Sequence, residues 1–216
     1  ELPGSRATIA EANRVANPGC YATAITLGVL PAISHGIIDD SDIVVVAASG
    51  TTGAGRSAKI NLIASEVANS LTSYKFGGVH QHTPEIEQSL SQVAGSQVKI
   101  SFTPILAPMP RGILATITAK LTTAMSTERA HEIFSGAFDT EEFVHVLPLG
   151  QMPQTSALTG TNAVQLQVAV DEHTHRLVIS VAIDNLGKGA AGQAIQNANI
   201  MCGFPEAMGL SKQGVR

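Results

Sequence analysis

Cys20 stands in Asn17-Pro18-Gly19-Cys20-Tyr21-Ala22-Thr23, directly ahead of the apolar run Ala24-Ile25-Thr26-Leu27-Gly28-Val29-Leu30-Pro31. Pro18 fixes one φ and Gly19 permits an unusual one, so the segment reads as a tight turn that sets a single thiol at the start of an apolar helix. Unpaired N–H groups and the positive end of the helix dipole lie there. Both favour thiolate over thiol, and the thiolate is the nucleophile. The competing reading is a small buried hydrophobe, the commoner fate of a free cysteine. The Pro-Gly turn, the helix start and the histidines downstream weigh toward covalent catalysis. The second cysteine, Cys202, sits among apolar residues at a helix end with no activating neighbour and reads as structural.

A thiol nucleophile needs an acid/base, donors for an oxyanion, and groups that hold the substrate. His80 and His82, in His80-Gln81-His82-Thr83-Pro84-Glu85, are the acid/base candidates, and only one is expected to face Cys20. His82 is favoured, because Glu85 could bond its second ring nitrogen and fix its tautomer. His35, His131, His145, His173 and His175 read as ordinary surface or core side chains. Arg56 and Arg111 belong to loops marked by glycine or proline, and a guanidinium fork suits phosphate and carboxylate. They are candidate substrate anchors; for Arg56 a plain surface charge competes. Ser49, Gly50 and Gly53 could offer hydroxyl and backbone N–H groups to a phosphate in a small nest, or form a tight turn with no ligand. His-Gln-His lacks a third nearby ligand, so a metal site is not expected.

The elements that must position these groups follow from periodicity. Residues 21–33 read as an apolar helix capped by Gly36, and 43–48 as a buried strand. A helix is expected over 57–70, and another over 84–93 with Thr83 as its cap and Pro84 at its first position. Strands are expected over 98–102 and 112–121, and a helix over 127–138. Residues 164–170 and 177–183 alternate around a turn and read as a hairpin; 189–200 reads as a closing helix of small residues. Residues 1–16 read as a polar tail with a short helical stretch. The order implies an α+β fold: a mostly antiparallel mixed sheet with helices on one face.

The chain has 216 residues, 44% of them hydrophobic, enough for a substantial core. With a net charge of −4, no dense Lys/Arg block, no Trp and 4% aromatics, nucleic-acid binding has little support. No run is long and charge-free enough to cross a bilayer. Glu1-Leu2-Pro3-Gly4 does not read as a signal peptide, and two cysteines fit a reducing cytoplasm.

The Asn-Pro-Gly-Cys-Tyr-Ala-Thr segment resembles the active-site signature of N-acetyl-gamma-glutamyl-phosphate reductases. Four further segments are similar to that family and stand in its order: Ser49 to Arg56, His80 to Ile86, Pro110 to Leu114, and Asp184-Asn185-Leu186 with Lys188 to Ala191. The resemblance implies the catalytic, dimer-forming domain shared with glyceraldehyde-phosphate and aspartate-semialdehyde dehydrogenases. It implies NADPH-dependent reduction of an acyl phosphate to a semialdehyde through a Cys20 thioester, in arginine biosynthesis, by a cytoplasmic homodimer or homotetramer. It also implies a Rossmann nucleotide-binding domain before Cys20; with no G-x-G-x-x-G in the chain, that domain is expected to lie outside it. The expected division is 1–18 as the tail of that domain, 19–183 as catalytic and dimerisation domain, and 184–216 as a C-terminal helix returning to it. Asn185 and Lys188 then stand where a phosphate-bearing cofactor, NADP, could be met, or are ordinary loop residues. Asn162 matches a polar family position, and Gly187 stands where the family pattern has a larger apolar residue. Rival readings are a relative acting on N-acetyl-aminoadipyl or aspartyl phosphate, an isolated dimerisation module, and a cysteine hydrolase using Cys20 and His82.

Overall fold

The structure is a computed structural model that describes residues 1–214. A short helix, α1 (Ser5–Glu11), precedes the turn at Gly19. The apolar run beyond it forms α2 (Cys20–Ser34), and every residue from Tyr21 to Ile33 is buried. A helix that is apolar all round must be covered on all sides, and the rest of the chain provides the cover. Elements then follow as β1 (Ile38–Ser49), α3 (Ala64–Val67), β2 (Thr72–Ser73), α4 (Thr83–Ala94), β3 (Ile100–Leu106), β4 (Ile113–Leu121), α5 (Thr127–Ala137), β5 (Val144–Val146), β6 (Val164–Asp171), β7 (Arg176–Ile183) and α6 (Gly192–Met201).

The strands make one seven-stranded sheet in the order β2-β3-β1-β4-β7-β6-β5. Pairing is antiparallel except for β1 with β3 and β5 with β6. The fold class expected from the sequence is the one found. α2 lies across β1, β4 and β7, with α4 and α5 beside it on the same face. In β4, Ile113, Ala115, Ile117, Ala119 and Leu121 point into that layer. The opposite face is uncovered, and Val44, Val46 and Leu114 are more than one-third exposed there. Register places Ser49 beside Ile113 and Ile113 beside Ile183, so the ends of β1, β4 and β7 meet at one edge. The loops leaving that edge build the site.

Several expected elements differ in detail. Residues 57–70 do not form one helix; a 3-10 turn at Ile60–Leu62 and the four-residue α3 replace it. Ile60 and Ile63 are exposed and only Val67 is buried in α3, so no apolar face repays the ordering of a longer helix. α4 starts at Thr83, and His82 occupies the cap position, one residue earlier than expected. The expected strand at 98–102 runs instead from 100 to 106, drawn on by its parallel register with β1. The final helix opens with a π turn at Gly187–Ala191 before α6.

α6 and α1 pack together, and ion pairs clasp them to the sheet domain. Arg6 binds Glu141 at 2.6 Å and Glu206 at 2.7 Å. The Lys188 ammonium, wholly buried, binds Glu1 and Gln196. Gly28 lets α2 sit low on the sheet: a Cβ there would stand 2.6 Å from Val181 Cγ2 and 3.0 Å from Ile117 Cδ1. Gly28→Ala therefore overpacks the core and is expected to cost about 1–3 kcal/mol in urea unfolding, despite the higher helix propensity of alanine.

Candidate active site

Three pieces of chain converge on Cys20. Gly19 caps α2 with φ −69 and ψ 156, an extended conformation open to any residue. Its need for glycine is therefore steric and not the unusual φ read from the sequence. The His82 ring lies directly against it: a Cβ on Gly19 would be 2.3 Å from His82 Nε2. From the first turn of α4, Glu85 reaches the same turn and accepts a hydrogen bond from the Gly19 N–H at 3.0 Å. On the other side, the Asn17 amide donates to the Ala190 carbonyl at 3.1 Å. Gly189 abuts the nucleophile itself, since a Cβ there would stand 2.7 Å from the Cys20 Cβ.

His80 and His82 both belong to this site. The chain turns between them, with the Thr83 N–H donating to the His80 carbonyl at 3.0 Å, and their rings lie 4.8 Å apart, edge to face. The expectation that only one faces the cysteine side is corrected. His80 is buried among Tyr21, Tyr74 and Phe102, and its Nδ1 accepts from the His82 N–H at 3.1 Å. The His82 Nδ1 is buried with no partner among the described residues. The bond expected between Glu85 and His82 is not formed, because the carboxylate is turned to the Gly19 N–H.

The electrostatics reverse one sequence expectation. Burial pushes the Cys20 thiol above its usual range and the Glu85 carboxylate pushes the same way; the N–H groups of Tyr21 and Cys20 pull it down without winning. A standing thiolate is not what this site favours. Burial lowers His82, opposed by Glu85 and reinforced by Lys75. Burial, His82 and Lys75 together take His80 down to about 4. Near neutral pH the site thus holds a thiol beside two neutral imidazoles, one of them free to accept its proton.

These groups line a cleft of about 590 Å3. Cys20, His80 and His82 are joined there by Ser49, Gly50 and Gly53, and by Tyr21, Lys59, Glu66, Tyr74 and Lys75. The Tyr74 hydroxyl lies 3.0 Å from that of Tyr21. Sequence reading missed both tyrosines and both lysines; Tyr21 beside Cys20 was the available signal. Gly50 also serves packing, for a Cβ there would meet the Arg111 backbone N at 2.8 Å.

The remaining candidates do not line the cleft. Arg56 is exposed on the loop after β1. The Arg111 fork is spent on Asp184, a wholly buried carboxylate, at 3.1 Å from Nε and 2.6 Å from Nη2. Asn185 is buried, accepting from the Gly112 N–H at 2.7 Å and donating to the Thr52 hydroxyl at 3.1 Å. Lys188 is buried on Glu1 and Gln196. Asn185 and Lys188 are thus internal ties, while Arg111 is tied to Asp184 with its side chain still one-third exposed. Gly187, the departure from the family pattern, is accounted for by the π turn: a Cβ there would fall 2.0 Å from the Thr161 carbonyl oxygen. Asn162 donates to Gln196 at 2.8 Å and so anchors α6. Among the described residues no His/Cys/Asp/Glu group is arranged to hold a metal, and no helix is long and apolar enough to cross a membrane.

Residues 20–185 match the family model described as semialdehyde dehydrogenase, dimerisation domain. Over 215 residues the chain is 59% identical to an N-acetyl-gamma-glutamyl-phosphate reductase of Acidothermus cellulolyticus and 54% identical to one of Frankia casuarinae. In both comparisons the whole chain is covered but only 63% of the relative, so the chain spans under two thirds of the length of these proteins. Among solved structures it is similar to aspartate semialdehyde dehydrogenase II of Vibrio cholerae, with a TM-score of 0.73 and 17% identity, covering 93% of this chain and 65% of that one. The aspartate semialdehyde dehydrogenase of Francisella tularensis gives 0.65 and 14%, covering 86% and 64%. At such identities these neighbours speak for the fold.

Two outcomes follow from the geometry. Gly19→Ala drives its methyl group into the His82 ring and is expected to slow turnover about 100-fold with little change in the unfolding midpoint. Glu85→Gln keeps an acceptor for the Gly19 N–H but removes the negative charge. The Cys20 titration, read by alkylation against pH, is expected to move down, because its thiolate loses a repelling neighbour. The His82 titration, read by NMR, is expected to move down too, because its imidazolium loses an attracting one.

Proposed function

Because this chain belongs to the semialdehyde dehydrogenase dimerisation-domain family, we propose that it is the catalytic part of an N-acetyl-gamma-glutamyl-phosphate reductase. The observation that carries the reading is the Cys20 thiol at the head of a buried helix, with the His82 ring against the preceding glycine, at the wall of an open cleft. The names of the relatives that match the whole chain support this choice of substrate class.

In this reading the Cys20 thiol passes its proton to His82 and attacks the acyl carbon of the substrate. The carbon–oxygen bond to phosphate breaks, its electron pair leaves on the phosphate oxygen, and that oxygen takes the proton from His82. A thioester on Cys20 remains. The N–H groups of Cys20 and Tyr21, which already favour negative charge on the sulfur, stabilise the thiolate as it forms. His80, neutral and buried, orients the His82 backbone and keeps water from the ring.

The hydride that would turn the thioester into a semialdehyde is the contribution of NADPH. The two residues read for that cofactor do not fit it, since Asn185 and Lys188 are both buried and fully engaged within the fold. We therefore assign nucleotide binding to sequence outside this chain, with residues 1–18 as the tail of that domain, 19–183 as the catalytic and dimerisation domain, and 184–216 as the returning segment. The uncovered sheet face around Val44, Val46 and Leu114 is the natural seat for a second copy in a homodimer or homotetramer. A biosynthetic reductase with a functional free thiol belongs in the reducing cytoplasm.

The test is NADP-dependent, phosphate-requiring oxidation of three semialdehydes by the intact enzyme: N-acetyl-glutamate, N-acetyl-aminoadipate and aspartate. Preference for the first supports the reading, and preference for either of the others overturns it in favour of that relative. Cys20→Ser is expected to lower turnover at least ~1000-fold.

A further inference from the structure

The proposed reaction expels a phosphate next to Cys20, yet neither arginine read as an anchor lines the cleft. Arg111 is committed to Asp184, and Arg56 is exposed on the loop after β1. Two cations do line it, Lys59 and Lys75, with Glu66 as the acidic side chain. Lys75 is the one whose charge is felt at both His80 and His82.

Its backbone is unusual. Lys75 has φ +44, in the left-handed region that costs a side-chain-bearing residue about 1 kcal/mol or more. On ordinary extended chain, Tyr74 and Lys75 would point to opposite sides. The left-handed residue breaks that alternation, so Tyr74 reaches the Tyr21 hydroxyl while Lys75 also faces the cleft. The ammonium then bonds the Gln81 side-chain carbonyl, between the two histidines in sequence. Glycine would take this conformation without strain, and Gly77 and Gly78 do so two and three residues on. A lysine at the strained position has its ammonium held where the leaving group emerges.

We propose that Lys75 is the cation that receives the phosphate group as it departs from the acyl carbon, a role that rests on the reductase reading above. The ammonium meets the phosphate oxygens as negative charge develops on them, while Gln81 holds it in place until the substrate arrives.

The experiment uses the intact enzyme in the phosphate-consuming direction, with inorganic phosphate and the preferred semialdehyde varied separately. Lys75→Met is expected to raise the KM for phosphate about 10- to 100-fold and leave that for the semialdehyde within about twofold. Lys75→Arg is expected to recover most of the loss. A raised semialdehyde KM with phosphate unaffected would make Lys75 a carboxylate anchor and overturn the proposal. So would a variant that shifts only the pH profile, because Lys75 would then merely tune the histidines. A second readout needs no nucleotide: inorganic phosphate should slow alkylation of Cys20 in the wild type and not in Lys75→Met. If the wild type shows that protection but oxidises no semialdehyde, the reductase reading fails while the phosphate site stands. If it oxidises semialdehyde but Lys75→Met retains full protection, the phosphate site fails alone.

Discussion

The carboxylate of Asp184 is wholly buried at the end of β7, and the position of Cys20 depends on it. It takes the Arg111 fork from the loop before β4 and the Gly160 N–H at 2.6 Å from the loop before β6. It also takes the Leu186 N–H at 2.9 Å and the Gly187 N–H at 3.2 Å from the turn that follows it. An ion buried this deeply is tolerable only when paired and fully hydrogen-bonded. Meeting that requirement gathers three loops at one edge of the sheet. The π turn so anchored presses Gly189 onto the cysteine. Asn185, next in sequence, ties the 110–112 loop to Thr52. The residues between Asp184 and Ala191 thus act as the floor on which the nucleophile stands.

Much of this was legible in the sequence because burial and periodicity coincide there. The apolar run behind Cys20, the alternation in β4 and the hairpin of β6 and β7 each carry one unambiguous period. The segment from 57 to 70 carried no such clear period: Ile60 and Ile63 are exposed and only Val67 is buried, so no continuous apolar face holds a helix there. Site residues divided along a different line. Cys20, His80 and His82 could be read because their chemistry is unusual for their surroundings. Arg111, Asn185 and Lys188 looked equally functional, yet their polar atoms are consumed by buried partners distant in sequence, such as Asp184 at 73 residues and Glu1 at 187. Side-chain type advertises a capacity; only the fold reveals whether that capacity is already spent.

The reversal at Cys20 has the same origin. A helix start favours thiolate, as the neighbouring N–H groups confirm, but burial and one carboxylate outweigh them. The thiol is therefore kept protonated until a base removes its proton, and a neutral imidazole is packed against the adjoining glycine. Protection and activation come from the same enclosure: the burial that raises the cysteine also lowers the histidine.

The clasp between Glu1 and Lys188 has a temporal side. Its partners are 187 residues apart, so the closure entropy of nearly the whole chain must be overcome before it forms. Lys188 cannot enter its buried place unpaired without the large penalty of a lone charge. During synthesis the segment carrying Glu1 emerges long before Lys188 and stays untethered until the turn that carries this lysine has been made. Docking of the segment around Glu1 thus waits for a partner 187 residues further along and becomes one of the later events in the folding of this part of the protein.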